Sequence, residues 1–84
     1  MYPEYSEVMV YGNGETFSYL AHADLQTVSQ FYQTDMVNQG WVQAQEPIIF
    51  DTEIILHYKK ANQKAIINMI LSNDFTAVGI SLVP

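Results

Sequence analysis

Residues 24–41, DLQTVSQFYQTDMVNQGW, carry the strongest fold signal in the chain. Asp24 is a good N-cap residue, because its carboxylate accepts hydrogen bonds from the free N–H groups of a first helical turn. Neither proline nor glycine interrupts residues 25–39, and apolar side chains recur there at helical spacing: Leu25, Val28, Tyr32 and Met36. Gly40 suits the left-handed position after a helix, which would pack Trp41 against that stripe. We therefore expect one helix over residues 25–39.

Upstream of this helix, Asn13-Gly14 separates two segments of alternating polarity, residues 7–12 and 15–21. The dipeptide favours a type I′ hairpin turn, which needs positive φ at both central positions. The alternation then sets the pairing. We expect Tyr11 to face Thr16, Val10 to face Phe17, Met9 to face Ser18 and Val8 to face Tyr19, with Val8, Val10, Phe17 and Tyr19 on one face.

Downstream of the helix, the sequence predicts three or four strands. The first starts at Trp41, and Pro47 within it indicates an edge, a bulge or a loop, because proline cannot donate to a ladder. The others alternate with period two, and their core-facing residues are Ile54, Leu56 and Tyr58, then Ala65, Ile67, Met69 and Leu71, then Thr76, Val78, Ile80 and Leu82. The expected fold class is α+β: two layers, an antiparallel sheet of five or six strands with one helix on one face, in the order ββαββββ or ββαβββ.

Length and composition limit the function. The chain has 84 residues, a net charge of −6 and no cysteine. We expect residues 1–84 to form a single α+β domain, without disulfides or thiolate chemistry. Its only basic residues are Lys59, Lys60 and Lys64, whereas nucleic-acid binding needs many Lys and Arg contacts to phosphate. No apolar run approaches the roughly 20 residues of a membrane span. We therefore expect no nucleic-acid partner and no membrane insertion.

The residues that support catalysis or metal binding are few and scattered. A zinc site needs three or four ligands, but only His22 and His57 are histidines, and an extended strand places Glu53 about 13 Å from His57. Gly12-Asn13-Gly14 lacks the G-x-G-x-x-G pattern of a phosphate-binding loop that leads into a helix. No serine lies in a nucleophile elbow. We expect no catalytic residue, no cofactor and no metal, and the protein is not expected to be an enzyme.

The second face of the expected sheet is more apolar than a solvated surface requires. One helix can cover only one side of the sheet, yet the strand positions that point away from it include several isoleucines. An apolar patch of this kind is typical of an interaction surface. The candidate interface residues are Ile55, His57, Ile66, Asn68 and Ile70.

Two hypotheses for the function follow. The first is a non-catalytic protein-interaction or self-assembly module that forms a weak homodimer through the sheet or binds another protein. The alternative is a small acidic regulator that captures a basic partner protein by charge. Salt separates them, because apolar docking barely weakens with ionic strength whereas charge capture weakens steeply.

Three residue pairs occur in a recognisable order: Tyr2-Pro3 at the start, Phe31-Tyr32 in the helix and Gly40-Trp41 at its exit. With these pairs and its order of elements, the chain resembles a domain of bacterial predicted lipoproteins of unknown function. The chain departs from that pattern in lacking a lipobox cysteine and in carrying Ala21-His22-Ala23-Asp24 at the helix entry. The resemblance implies a ββα order followed by strands, and it implies no activity.

The cellular compartment stays open at this point. Met1-Tyr2-Pro3-Glu4 lacks the basic start and the apolar stretch of a signal peptide. The expectation is cytoplasmic if Met1 is the native start, and periplasmic or cell-surface if a leader was removed.

Overall fold

The computed structural model describes residues 3–11 and 16–83. Its elements are β1 (Tyr5–Tyr11), β2 (Thr16–Ala21), α1 (Leu25–Asn38), β3 (Val42–Ile49), β4 (Glu53–Lys60), β5 (Gln63–Ser72) and β6 (Phe75–Val83). The strands form one open sheet in the order β1-β2-β6-β5-β4-β3, and every neighbouring pair is antiparallel. The predicted α+β fold is confirmed in its six-stranded form, ββαββββ.

The two ends of α1 follow the residues that predicted them. The Asp24 side chain accepts a hydrogen bond from the Thr27 N–H at 2.7 Å. At the other end Gly40 has a φ of 90°, and the Trp41 N–H donates to the Met36 carbonyl at 3.0 Å. This is the Schellman ending, in which a left-handed residue lets the chain turn back and satisfy the last helical carbonyls.

A lysine from the sheet completes the helix end. Gln39, expected inside the helix, is its C-cap, and its carbonyl accepts a hydrogen bond from Lys60 Nζ at 2.8 Å. The same Nζ lies 5.9 Å from the centre of the Trp41 ring. A cation near a helix C-terminus interacts favourably with the helix dipole, so Lys60 ties the end of β4 to the end of α1.

The core lies between α1 and one face of the sheet. The hydroxyl groups of Tyr19 and Tyr32 share a hydrogen bond across these two layers. The buried apolar residues are Tyr19, Ala21, Leu25, Val28, Tyr32, Met36, Ile54, Leu56, Tyr58, Ala65, Ile67, Met69, Val78 and Ile80. The alternation along β4, β5 and β6 therefore predicted the core face, except that Leu71 is 43% exposed, near the end of β5.

The first hairpin follows the predicted pairing only near its turn. The pairs Tyr11–Thr16, Val10–Phe17 and Met9–Ser18 are confirmed. The pairing of Val8 with Tyr19 is wrong, because the register shifts between Ser6 and Met9, so that Ser6 faces Leu20. Glu7 lies in the shifted segment with a φ of 55°, and an extra residue in one strand is how a bulge shifts a register. The Asn13-Gly14 turn lies outside the described residues.

Both edges of the sheet are irregular. Val8 and Val10 stay 44% and 64% exposed on edge strand β1, although they were expected to share an apolar face with Phe17 and Tyr19. On the other edge, β3 contains Pro47, and its register shifts between Gln43 and Gln45 and again before Ile48. The prediction that Pro47 marks an edge or a bulge is confirmed.

Candidate functional site

The face of the sheet that points away from α1 is called the open face here. Successive strand residues point to opposite sides, and Ile54, Leu56 and Tyr58 of β4 fill the core on the helix side. Their neighbours in the sequence therefore lie on the open face. Strands β4 and β5 contribute four cross-strand pairs to it: Glu53 with Ile70, Ile55 with Asn68, His57 with Ile66, and Lys59 with Lys64.

The five candidate interface residues come together on the open face. They occupy three consecutive pairs of the β4–β5 ladder. Ile70 is 45% exposed, and Ile55, His57, Ile66 and Asn68 are partly buried. The structure thus forms one continuous patch, in which three isoleucines surround two polar side chains.

The two polar members of the patch have unusual surroundings. Among the described residues, His57 Nδ1 and Asn68 Oδ1 are buried and have no hydrogen-bond partner. Neighbouring groups of the protein remove both atoms from water. A buried polar atom without a partner costs about 1–3 kcal/mol. Both atoms therefore gain free energy from any arrangement that supplies a partner.

The other half of the open face carries small side chains, which the sequence reasoning missed. The pairs across β2 and β6 on this face are Thr16 with Ser81, Ser18 with Gly79 and Leu20 with Ala77. Leu20 is the one large side chain among these six residues. A shallow groove of about 290 Å³ lies there, lined by residues that include Met9, Ser18 and Ala77. We call Ser18, Ala77, Gly79 and Ser81 the small-residue strip. The alternation Ala77-x-Gly79-x-Ser81 was the available signal.

Charges lie at the two ends of the β4–β5 ladder. Lys59 and Lys64 form an exposed basic pair at one end, and Glu53 begins β4 at the other. A second groove of about 340 Å³ runs beside the basic pair, and its lining includes Gln45, His57, Lys64 and Ile66. The open face therefore has an apolar centre and oppositely charged ends.

The second histidine has a structural position instead. His22 Nε2 lies 2.7 Å from Ser6 Oγ, and its ring stacks on Phe75 with centroids 4.5 Å apart. These contacts join the helix entry to β1 and to the start of β6. Across residues 3–11 and 16–83, no three His, Asp or Glu side chains gather as metal ligands would.

Two groups with shifted pKa values belong to the helix layer and the core. Hydrogen bonds from the Thr27 backbone and side chain hold the pKa of Asp24 below its ordinary value. Burial raises the pKa of the Tyr58 hydroxyl, because desolvation disfavours the phenolate. Both shifts have structural causes, a helix cap and a core position.

Comparison with known proteins gives one family. A model of the START domain-like family matches residues 6–75, from β1 to the first residue of β6. No curated protein matched the chain. No solved structure matched it either. The match does not confirm the resemblance to bacterial lipoprotein domains. Within the described part of the chain, no helix has the length and apolar character of a membrane span.

Proposed function

This chain belongs to the START domain-like family, and we propose that it is a non-catalytic interaction module that pairs with a second copy of itself through the open face. The family match specifies no activity, so the proposal rests on geometry. The observation that carries it is the patch of Ile55, Ile66 and Ile70 around His57 and Asn68. Apolar patches of this kind are typical of protein-interaction surfaces.

The open face is large enough for a specific interface. The molecule measures 35 × 28 × 21 Å along its principal axes, and a helix packed on a sheet is thinnest perpendicular to the sheet. A specific interface buries about 800 Å² on each partner. The two longer dimensions supply this area, and two sheets that pack face to face lie about 10 Å apart.

The free energy of burial predicts a weak dimer. Burial of the equivalent of two fully exposed isoleucine side chains across the two copies would contribute roughly 3–6 kcal/mol. Association costs about 4–15 kcal/mol in lost translational and rotational freedom. The isoleucines alone therefore do not offset the cost of association, and the rest of the buried face has to supply the difference. For this reason we expect only a weak dimer, detectable at tens of micromolar and dissociated on dilution.

The salt dependence of binding distinguishes self-association from the binding of a basic partner by an acidic regulator. Each copy carries a net charge of −6, so two copies repel each other and salt screens that repulsion. Self-association should therefore stay constant or tighten as salt rises. Binding of the acidic chain to a basic partner protein would weaken steeply instead, as attraction between opposite charges is screened.

The test is analytical ultracentrifugation of the wild type and of Ile66→Glu at tens of micromolar. The wild type should sediment as a concentration-dependent dimer and Ile66→Glu as a folded monomer, because an unpaired carboxylate is not tolerated in a buried interface. Val37→Glu is the matched control: Val37 is 59% exposed on the helix, so this variant should still dimerise. A monomeric wild type, or a dimer that Ile66→Glu leaves intact, would contradict the proposal.

A further inference from the structure

The two halves of the open face differ in side-chain size. Strands β4 and β5 carry Ile55, Ile66 and Ile70, whereas the small-residue strip lies on β2 and β6. Because the sheet order is β1-β2-β6-β5-β4-β3, the boundary between the two halves is the middle of the sheet. Large side chains opposite small ones let two layers interdigitate.

We infer that the second copy docks with its two-fold axis parallel to the strands, so that the isoleucines of each copy pack onto the small-residue strip of the other. The inference deepens the proposed function and rests on it. Such an axis at the β5–β6 boundary places β5 of one copy over β6 of the other, and β4 over β2. An isologous interface of this kind repeats every contact twice.

A level is here a row of residues that are paired with one another across neighbouring strands. This axis places each level opposite the same level of the second copy. Ile70 and Ala77 share one level, Asn68 and Gly79 the next, and Ile66 and Ser81 the third. In the dimer, Ile70 therefore packs on the second copy's Ala77, and Ile66 packs on the second copy's Ser81. Packed sheets keep their strands within about 30° of each other, which preserves this pairing near the axis.

The same axis gives partners to the two buried polar atoms. His57 lies on β4 at the level of Thr16 on β2, so His57 of one copy faces the hydroxyl group of Thr16 in the other. The two copies' Asn68 side chains flank the axis next to Gly79, where no side chain intervenes. After side-chain rotation, one amide can donate to the Oδ1 atom of the other, and His57 Nδ1 can bond to the Thr16 hydroxyl.

The competing arrangement has its two-fold axis across the strands. It reverses the levels, so that Glu53 meets the second copy's Lys59 and Ile70 meets the second copy's Lys64. Ion pairs at the rim of a surface contribute little, and this arrangement places His57 and Asn68 opposite isoleucines, without polar partners. Burial of isoleucine and satisfaction of buried polar atoms are the larger effects, so the axis along the strands is favoured.

The test exchanges a large and a small residue between the two halves. Ile70→Ala alone and Ala77→Ile alone should each weaken the homodimer about tenfold or more, by a void and by a clash respectively. The double variant should recover most of the affinity. An equimolar mixture of the two single variants should form mixed dimers in preference to either homodimer, measured by native mass spectrometry with one variant mass-tagged.

Two further variants keep the test decisive. Where Ala77→Ile fails to fold, Ile66→Ala with Ser81→Ile repeats the exchange one level along the strands. Val37→Ala is the control truncation on the exposed helix surface and should leave the dimer unchanged. A monomeric wild type overturns the proposed function. A dimeric wild type without preferential mixing overturns only the orientation. Recovery of dimerisation when Lys59→Glu is mixed with Glu53→Lys also overturns the orientation, because it supports the axis across the strands.

Discussion

Ile66 and Ile67 are adjacent, identical residues on β5 that belong to opposite faces of one sheet. Ile67 lies in the core under α1 and has no exposed surface, whereas Ile66 is only partly buried on the open face. The backbone environment is nearly the same, so the difference in burial comes from the helix layer alone. The comparison shows that the fold requires apolar residues on one face of this sheet, while those on the other face call for a second explanation.

Shortening both isoleucines should separate the two faces of the sheet by the largest difference in stability. Ile67→Ala should lower the free energy of unfolding by about 2–5 kcal/mol, because it leaves a cavity in the core. Ile66→Ala should lower it by about 1 kcal/mol or less, since that side chain is partly exposed already. Urea denaturation at a concentration where the protein is monomeric measures both. Equal losses would show that the open face is part of the folding core.

Two glycines, Gly40 at the end of α1 and Gly79 on the open face, should differ in the same way. Gly40→Val should destabilise the fold by about 1–2 kcal/mol, because a β-branched residue is strained at a φ of 90°. The strain lies in the backbone, as a Cβ at Gly40 would meet Lys60 Cε at an ordinary 3.6 Å.

Gly79→Ala is the matched change on the open face. Its Cβ would lie 3.9 Å from Asn68 Cβ, which is ordinary contact, so chemical denaturation of the monomer should show little loss of stability.

A Gly40→Val denaturation midpoint equal to that of the wild type would mean that the left-handed ending of α1 contributes nothing to stability.

The helix layer should also respond to pH through its cap. The folded-state pKa of Asp24 lies below its ordinary value of 3.8. The charged carboxylate therefore stabilises the folded state fully above that pH, and this stabilisation is lost as the pH falls below it. Asp24→Asn keeps a good N-cap without a titrating group. Melting temperatures measured from about pH 6 down to about pH 2 should fall more for the wild type than for Asp24→Asn. If the melting temperatures of the two proteins fall in parallel with pH, the charge of Asp24 does not contribute to stability.

The smallest expected effect is that of metal removal. The melting temperature should not change on treatment with EDTA, because His57 points to the open face and His22 contacts Ser6 and Phe75. A fall of several degrees would show that a metal stabilises the fold, and the open face would then need a different interpretation.

The sequence predicted the faces of the sheet well, because alternation with period two depends only on local geometry. It also predicted both ends of α1 from Asp24 and Gly40, whose side-chain chemistry determines caps. It failed at Val8, since the bulge requires a positive φ at Glu7, and glutamate carries no preference that would reveal one.

For the candidate site, the sequence placed all five residues on one face but missed their surroundings. The burial of His57 Nδ1 and Asn68 Oδ1 depends on how neighbouring side chains pack, which no local pattern contains. The small-residue strip was visible as Ala77-x-Gly79-x-Ser81, but its position beside the isoleucines follows only from the strand order. The position of the small-residue strip therefore depends on long-range strand pairing, which a local sequence pattern does not contain.

The irregular edges of the sheet bear on how the protein behaves when it is concentrated. An open sheet with straight edges offers unpaired backbone groups to other chains and templates fibrils. Here one edge has a bulge beside Glu7 and the other has two breaks in register, the second of which contains Pro47. Bulges and proline at an edge are devices by which native sheets avoid pairing with other chains. We therefore expect this chain to stay free of edge-to-edge polymers at high concentration.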